Sequence, residues 1–185
     1  MKLGSLLVRG LVGPLFIGHG TQKLFGWFGG HGLGGTSAFF ESVGLRPGRR
    51  HATAAGVNET AVGVMLTLGL ATPVAASMVT ATMVTAVRKV HGSAGPWVTN
   101  GGWEYNAVLI AAMATLAEAG PGPLSVDARR FPGFHGPALA ALGLAAGVAG
   151  SYLGTHPALN PPGPAPREGQ GDVAGDPAMQ TAAPS

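Results

Sequence analysis

The sequence predicts an all-α protein, an integral membrane helical bundle with four core transmembrane helices plus a fifth C-terminal one. Three observations predict it. Only 10% of the 185 residues are charged and 46% are hydrophobic, whereas soluble domains carry about 25% charged residues. Apolar stretches of about 20 residues, the length that spans a bilayer as helix, recur along the chain. The few ionisable groups inside those stretches recur at helical spacing. The net charge of +3 is small and the Lys and Arg form no nucleic-acid patch, so no nucleic-acid partner is expected. The absence of Cys rules out disulfides, thiol redox chemistry and thiolate metal sites.

The first apolar stretch runs from Ser5 to Leu24. Arg9 interrupts it and no small-x-small cleavage site follows, so it reads as an uncleaved helix rather than a signal peptide. The Gly-rich segment Gly26 to Arg50 comes next. Within it Thr36 reads as an N-cap and Gly44 as a stop, and Phe39, Phe40 and Val43 share one face. That pattern predicts a short helix lying on the membrane surface. The second span runs from His51 to Leu70. A tight Ala71-Thr72 turn leads into the third, Pro73 to Val90, with Pro at its start. The fourth runs from Trp103 to Ala119 and the fifth, rich in Ala and Gly, from Pro137 to Leu153. These divide the chain into a four-helix membrane domain (1–128), a connector and fifth helix (129–154), and a Pro/Gly-rich tail (155–185) expected to be disordered.

A charge at mid-bilayer costs roughly 2.5–3.5 kcal/mol on insertion scales, so each ionisable group inside a span needs a reason. His19, Gln22 and Lys23 share a face of the first helix. Glu59 lies about 12 Å into the second helix, at 1.5 Å per residue. Ser77, Thr80, Val84, Arg88 and His91 form a stripe on the third, and Glu104 opens the fourth. An antiparallel path brings His19, Gln22, Lys23, Glu59, Arg88, His91 and Glu104 to one side of the membrane. Trp27, Trp97 and Trp103 lie there too, at the depth where Trp is enriched. Lys23 and Arg88 are expected to pair with Glu59 and Glu104, with Trp27 and Trp103 as an aromatic roof. Arg9 reads as a snorkelling residue near Glu118, at the opposite end. No His pair at i, i+4 and no HExxH occurs, so no metal site is assigned. Gly56 and Gly63 allow close helix approach.

The run RGLVGPLFIGHGTQKLFGWFGGHGLGGTSAFFESVGL resembles the opening of the DoxX family of small bacterial and archaeal membrane proteins. The resemblance continues through AGVNETAVG, VRKVHG, NGGWEYN and AGPGPLSVDA, covering residues 5 to 128. It implies a four-helix membrane bundle linked to quinone-dependent or oxidative-stress redox complexes. The motif positions it carries over are His19, Gln22, Lys23, Glu59, His91 and Glu104. Two departures stand out. Thr72-Pro73 replaces the family's usual Thr-Arg, and a fifth span with a Pro-rich tail is added beyond SVDA.

The functional expectation is a multi-pass plasma-membrane subunit or accessory of a redox system, binding a quinone headgroup at the polar cluster. His19, Gln22 and Lys23 would donate to a quinone oxygen and Glu59 or Glu104 would exchange protons. The sequence supplies no thiol and no haem motif, so electrons would pass through a bound cofactor or a membrane or peripheral redox partner. The alternatives are a small-solute or lipid-handling protein, and a scaffold whose charges only pack helices. The first lacks the paired, interrupted helices of a transporter.

Overall fold

The structure, a computed structural model, describes residues 2–161. Among the described residues every regular element is helical. The main helices are α1 (Leu3–Phe25), α2 (Gly32–Ser42), α3 (Gly48–Leu68), α4 (Thr72–Ala86), α5 (Glu104–Ala119), α6 (Val126–Arg130) and α7 (Pro137–Gly154). By length and hydropathy α1 and α7 are able to cross a bilayer. A 3-10 turn, Pro157–Leu159, follows α7 where the tail begins, and residues 162–185 of that tail lie outside the described residues.

Helix α3 packs along α1, α4 joins α3 to α5 and α7, and α2 lies across α3 and α1. The shared core is apolar: Val12 and Phe16 of α1, Val62 and Leu66 of α3, Ala75 and Val79 of α4, Leu109 and Met113 of α5, and Ala140 of α7. Outside the core the usual order is inverted. Leu3, Leu7 and Leu11, one face of α1 at four-residue spacing, are exposed, as are Leu142, Tyr152 and Leu153 of α7. Arg9, Glu59, Thr80, Asn106, Asp127 and Ser151 are buried. Exposed apolar faces of this extent mark contact with lipid or another apolar surface, in keeping with a membrane-associated chain.

Helices α1 and α3 touch backbone to backbone. A β-carbon on Gly20 would lie 2.6 Å from both the Gly56 carbonyl oxygen and the Thr60 amide nitrogen. One on Gly63 would lie 2.6 Å from the Gly13 carbonyl oxygen and the Ile17 amide nitrogen. Each helix therefore contributes two glycines seven residues apart. The two helices run antiparallel, since Gly13 meets Gly63 while Gly20 meets Gly56. Small residues at a helix seam permit this approach, and Lys23, one turn past Gly20, reaches back to Glu59, which lies between Gly56 and Gly63.

Arg9 neither snorkels nor meets Glu118. It is 1% exposed, and its guanidinium donates to the carbonyls of Leu66 (3.4 Å), Thr67 (3.3 Å) and Leu124 (2.7 Å). Two of these are carbonyls of the last turn of α3, where a cation is favoured by the helix dipole, and that of Leu66 also accepts from Gly69 N at 3.1 Å. Gly69 (φ 62°) ends α3 in the left-handed region, and a side chain there would strike Arg9 and Ser125. On the far side of the same turn Asp127, 2% exposed, accepts from Ala71 N (2.7 Å), Thr72 N (2.8 Å) and Thr72 Oγ1 (2.7 Å). It satisfies the first amides of α4, and its own N–H donates to Gly69 O at 2.9 Å. The α3–α4 turn is thus held from one side by a cation and from the other by an anion, supplied by residues far away in sequence.

Helix α2 begins at Gly32, a turn earlier than its Thr36 cap signal suggests, and Thr36 is buried within it. Its Phe39 and Phe40, and Val43 just past its end, line a cavity between the helices.

Candidate functional site

A cavity of about 700 Å³ opens between α1, α2, α3, α4, α5 and α7, within the range of small-molecule sites. Its walls grade from apolar to polar. Along α1 they pass from Val12, Leu15 and Phe16 to His19 and Lys23. On α5 the order reverses, with Tyr105 and Asn106 before Leu109, as antiparallel packing requires. Asn58 and Glu59 of α3 and Thr82 and Met83 of α4 lie on the same wall.

The end of α4 explains which groups reach it. Residues Val87–His91 form a turn of π-helix. Its i to i+5 bonding is wider than an α turn, and such turns are frequent at functional sites. It separates Arg88 from His91, which an ideal helix places on one stripe. Lys89, Val90 and His91 line the cavity. Arg88 turns to α7, donating to Ser151 Oγ and Thr155 Oγ1 (both 3.1 Å) and lying 3.6 Å above the centre of the Tyr152 ring.

Of the residues singled out in sequence, the structure places His19, Lys23, Glu59 and His91 together on this cavity. Lys23 Nζ donates to Glu59 Oε2 at 2.6 Å, with the carboxylate side chain 8% exposed. Gln22 stands behind His19: His19 Nδ1 and Gln22 Oε1 are 3.1 Å apart, and Gln22 Nε2 donates to Phe28 O at 3.2 Å. Glu104 is not part of the wall and does not pair with Arg88. Its Oε1 accepts from Val98 N at 2.7 Å, closing the loop that precedes α5. Trp27 and Trp103 form no roof; both are exposed and stand off the cavity, where Phe39 and Phe40 supply the aromatic surface.

Several wall residues carried no sequence signal of their own. Helix α7 and the residue after it contribute Ser151 and Thr155, so the added fifth helix closes the site. His51 contributes a ring whose Nε2 is buried without a partner among the described residues. Asn106 is 5% exposed, and the hydrogen bond its amide makes is to the Met83 thioether at 3.4 Å, a weak acceptor. A buried amide held so loosely contributes little to the fold, because an apolar isostere is nearly neutral where the partner is weak. Asn106→Leu is therefore expected to leave the melting temperature in detergent within about 2 °C of the parent, or to raise it. A loss several-fold larger would show that the amide holds α5 against α4.

Apolar helical faces turned outward, with charges gathered between helices around a cavity, define a helical protein of membrane type. The chain belongs to the DoxX family, a membrane-associated family. The DoxX family model matches residues 4–92, a segment that holds His19, Gln22, Lys23, Glu59, Arg88 and His91 and ends before α5. A curated relative from Bacillus subtilis (strain 168), named "Putative oxidoreductase CatD", is 31% identical over 132 residues. That alignment covers 71% of this chain and 90% of the relative. No solved structure matches the chain.

Proposed function

We propose that this protein is a multi-pass plasma-membrane subunit or accessory of a redox system, and that its cavity binds the headgroup of a quinone or quinol. In this reading residues 1–128 form the membrane core and 129–154 add a fifth spanning helix to it. The observation that carries the reading is the graded cavity. One end is lined by Val12, Phe16 and Leu109, which suit an apolar ring and tail. The other presents the imidazoles of His19, His51 and His91 and a Lys23–Glu59 pair, which suit the ring oxygens and their protons. The relative's name points to the same reaction class. Electron transfer is assigned to a membrane or peripheral redox partner, since the chain offers no thiol.

Glu59→Gln tests it. The substitution keeps the volume and an acceptor for Lys23 but removes the proton-exchanging carboxylate and leaves an ammonium without its counter-charge. Binding of a short-chain benzoquinone and its quinol by the detergent-purified full chain is expected for the parent. The variant is expected to weaken it about tenfold or more, as loss of a charged partner does. A parent protein that binds neither form removes the proposal.

A further inference from the structure

We infer that this cavity selects the reduced, hydroxyl-bearing form of its ring ligand over the oxidised, carbonyl-bearing form. The inference rests on the quinone or quinol reading and adds which redox state the site holds. It follows from the hydrogen-bonding roles of two histidines, fixed by the groups behind them.

The first is His19. Gln22 Nε2 lies 3.2 Å from the Phe28 carbonyl oxygen. A carbonyl only accepts, so the Gln22 amide must present its NH₂ to Phe28 and its oxygen to His19. That oxygen is 3.1 Å from His19 Nδ1 and also only accepts, so the ring proton sits on Nδ1. The neutral imidazole is left with a lone pair on Nε2. The second is His91, whose Nδ1 lies 2.7 Å from the Gly101 carbonyl oxygen. The same logic puts its proton on Nδ1 and its lone pair on Nε2. Both rings line the cavity, from the end of α1 and from the π turn after α4.

The other ionisable groups on the wall are of both kinds. Lys23 gives one of its three protons to Glu59 Oε2 at 2.6 Å, and Glu59 Oε1 is a further acceptor. Lys89 adds a donor, and His51 a third ring whose Nε2 has no partner among the described residues. At His19 and His91, whose roles are fixed from behind, the cavity presents two imidazole lone pairs. A quinol brings two O–H donors to such a surface. A quinone brings carbonyl oxygens, which find lone pairs facing them at both histidines. One hydrogen bond of this kind corresponds to about tenfold in affinity. Gln22 is off the wall and acts as a positioning residue, holding His19 in the tautomer that accepts.

The test compares binding of decyl-benzoquinol and decyl-benzoquinone by the full chain in detergent, under argon, by equilibrium dialysis. The parent is expected to bind the quinol at least tenfold more tightly. His19→Phe and His91→Phe each keep a flat ring but lack the acceptor, and each is expected to lower the quinol-to-quinone affinity ratio about tenfold, chiefly by weakening quinol binding. Gln22→Leu frees the His19 tautomer and is expected to lower the ratio about threefold, whereas Gln22→Glu keeps an acceptor behind Nδ1 and restores it. Equal binding of the two forms by the parent, or tighter binding of the quinone, overturns this inference and leaves the wider reading standing. Failure to bind either form overturns both.

Discussion

Asp127→Ala is expected to lower the melting temperature of the detergent-purified protein by roughly 6–20 °C. The carboxylate is buried and accepts three hydrogen bonds, two of them from the first amides of α4. Hydrogen bonds to a charged group contribute about 1.5–3 kcal/mol each. Removing one partner of a buried charged network typically costs about 3–5 kcal/mol. A domain of this size loses about 2–4 °C per kcal/mol, which gives the range stated. Two consequences compound the loss. The amides of Ala71 and Thr72 would be buried without an acceptor, at the end of a helix where negative charge is favoured. Arg9 would also remain buried on the other side of the turn with its nearby counter-charge gone. Asp127→Asn separates these effects. It keeps an acceptor oxygen and loses the charge, so its shift is expected to be less than half as large. An alanine variant melting within 1 °C of the parent would mean that the α3–α4 turn holds without this residue.

The positions of the long helices were legible because span length and apolar content are local properties. The stretches starting near Ser5, His51, Pro73, Trp103 and Pro137 all emerge as helices within a few residues of their predicted ends. The juxtaposition of Lys23 with Glu59 was legible too, because antiparallel neighbours joined by short connections bring those depths together. What could not be read were roles that depend on a partner distant in sequence. Arg9 looks the same in sequence whether its guanidinium reaches a headgroup or the end carbonyls of α3. Asp127 is 55 residues from the helix it caps, and its SVDA context carried only a likeness. Arg88 and His91 were placed on one stripe by a period of 3.6 residues, which the π turn between them does not obey. Thr36 has the chemistry of a cap, yet packing of α2 across α3 extends the helix through the glycines before it and buries the hydroxyl residue. The cavity itself was invisible, because Phe39, Asn106 and Ser151 meet only when α2, α5 and α7 have closed around α3 and α4.

Alanine at Gly20 and alanine at Gly10 are expected to act with opposite signs, although both sit in the middle of α1. Gly10 has nothing within 4 Å of a β-carbon built on it. There the substitution only relieves the helix cost of glycine and stabilises by up to about 1 kcal/mol. At Gly20 the same methyl would lie 2.6 Å from the Gly56 carbonyl oxygen and the Thr60 amide nitrogen. Both are backbone atoms in the middle of α3, so no side chain can swing aside and the two helices must part. Overpacking of this kind costs about 1–3 kcal/mol, and valine at the same position is expected to prevent assembly of the α1–α3 pair altogether. The separation also reaches the site. Lys23 lies one turn from Gly20 and Glu59 one turn from Gly56 on the facing helix, so parting the helices at this level strains the 2.6 Å contact between them. Gly20→Ala should therefore lower both the melting temperature and ring-ligand affinity, whereas Gly10→Ala raises the first and leaves the second alone. If the two variants shift the melting temperature in the same direction, the glycines of α1 are not a packing seam, and the depth at which Lys23 meets Glu59 must be set by something other than the contact of the two backbones.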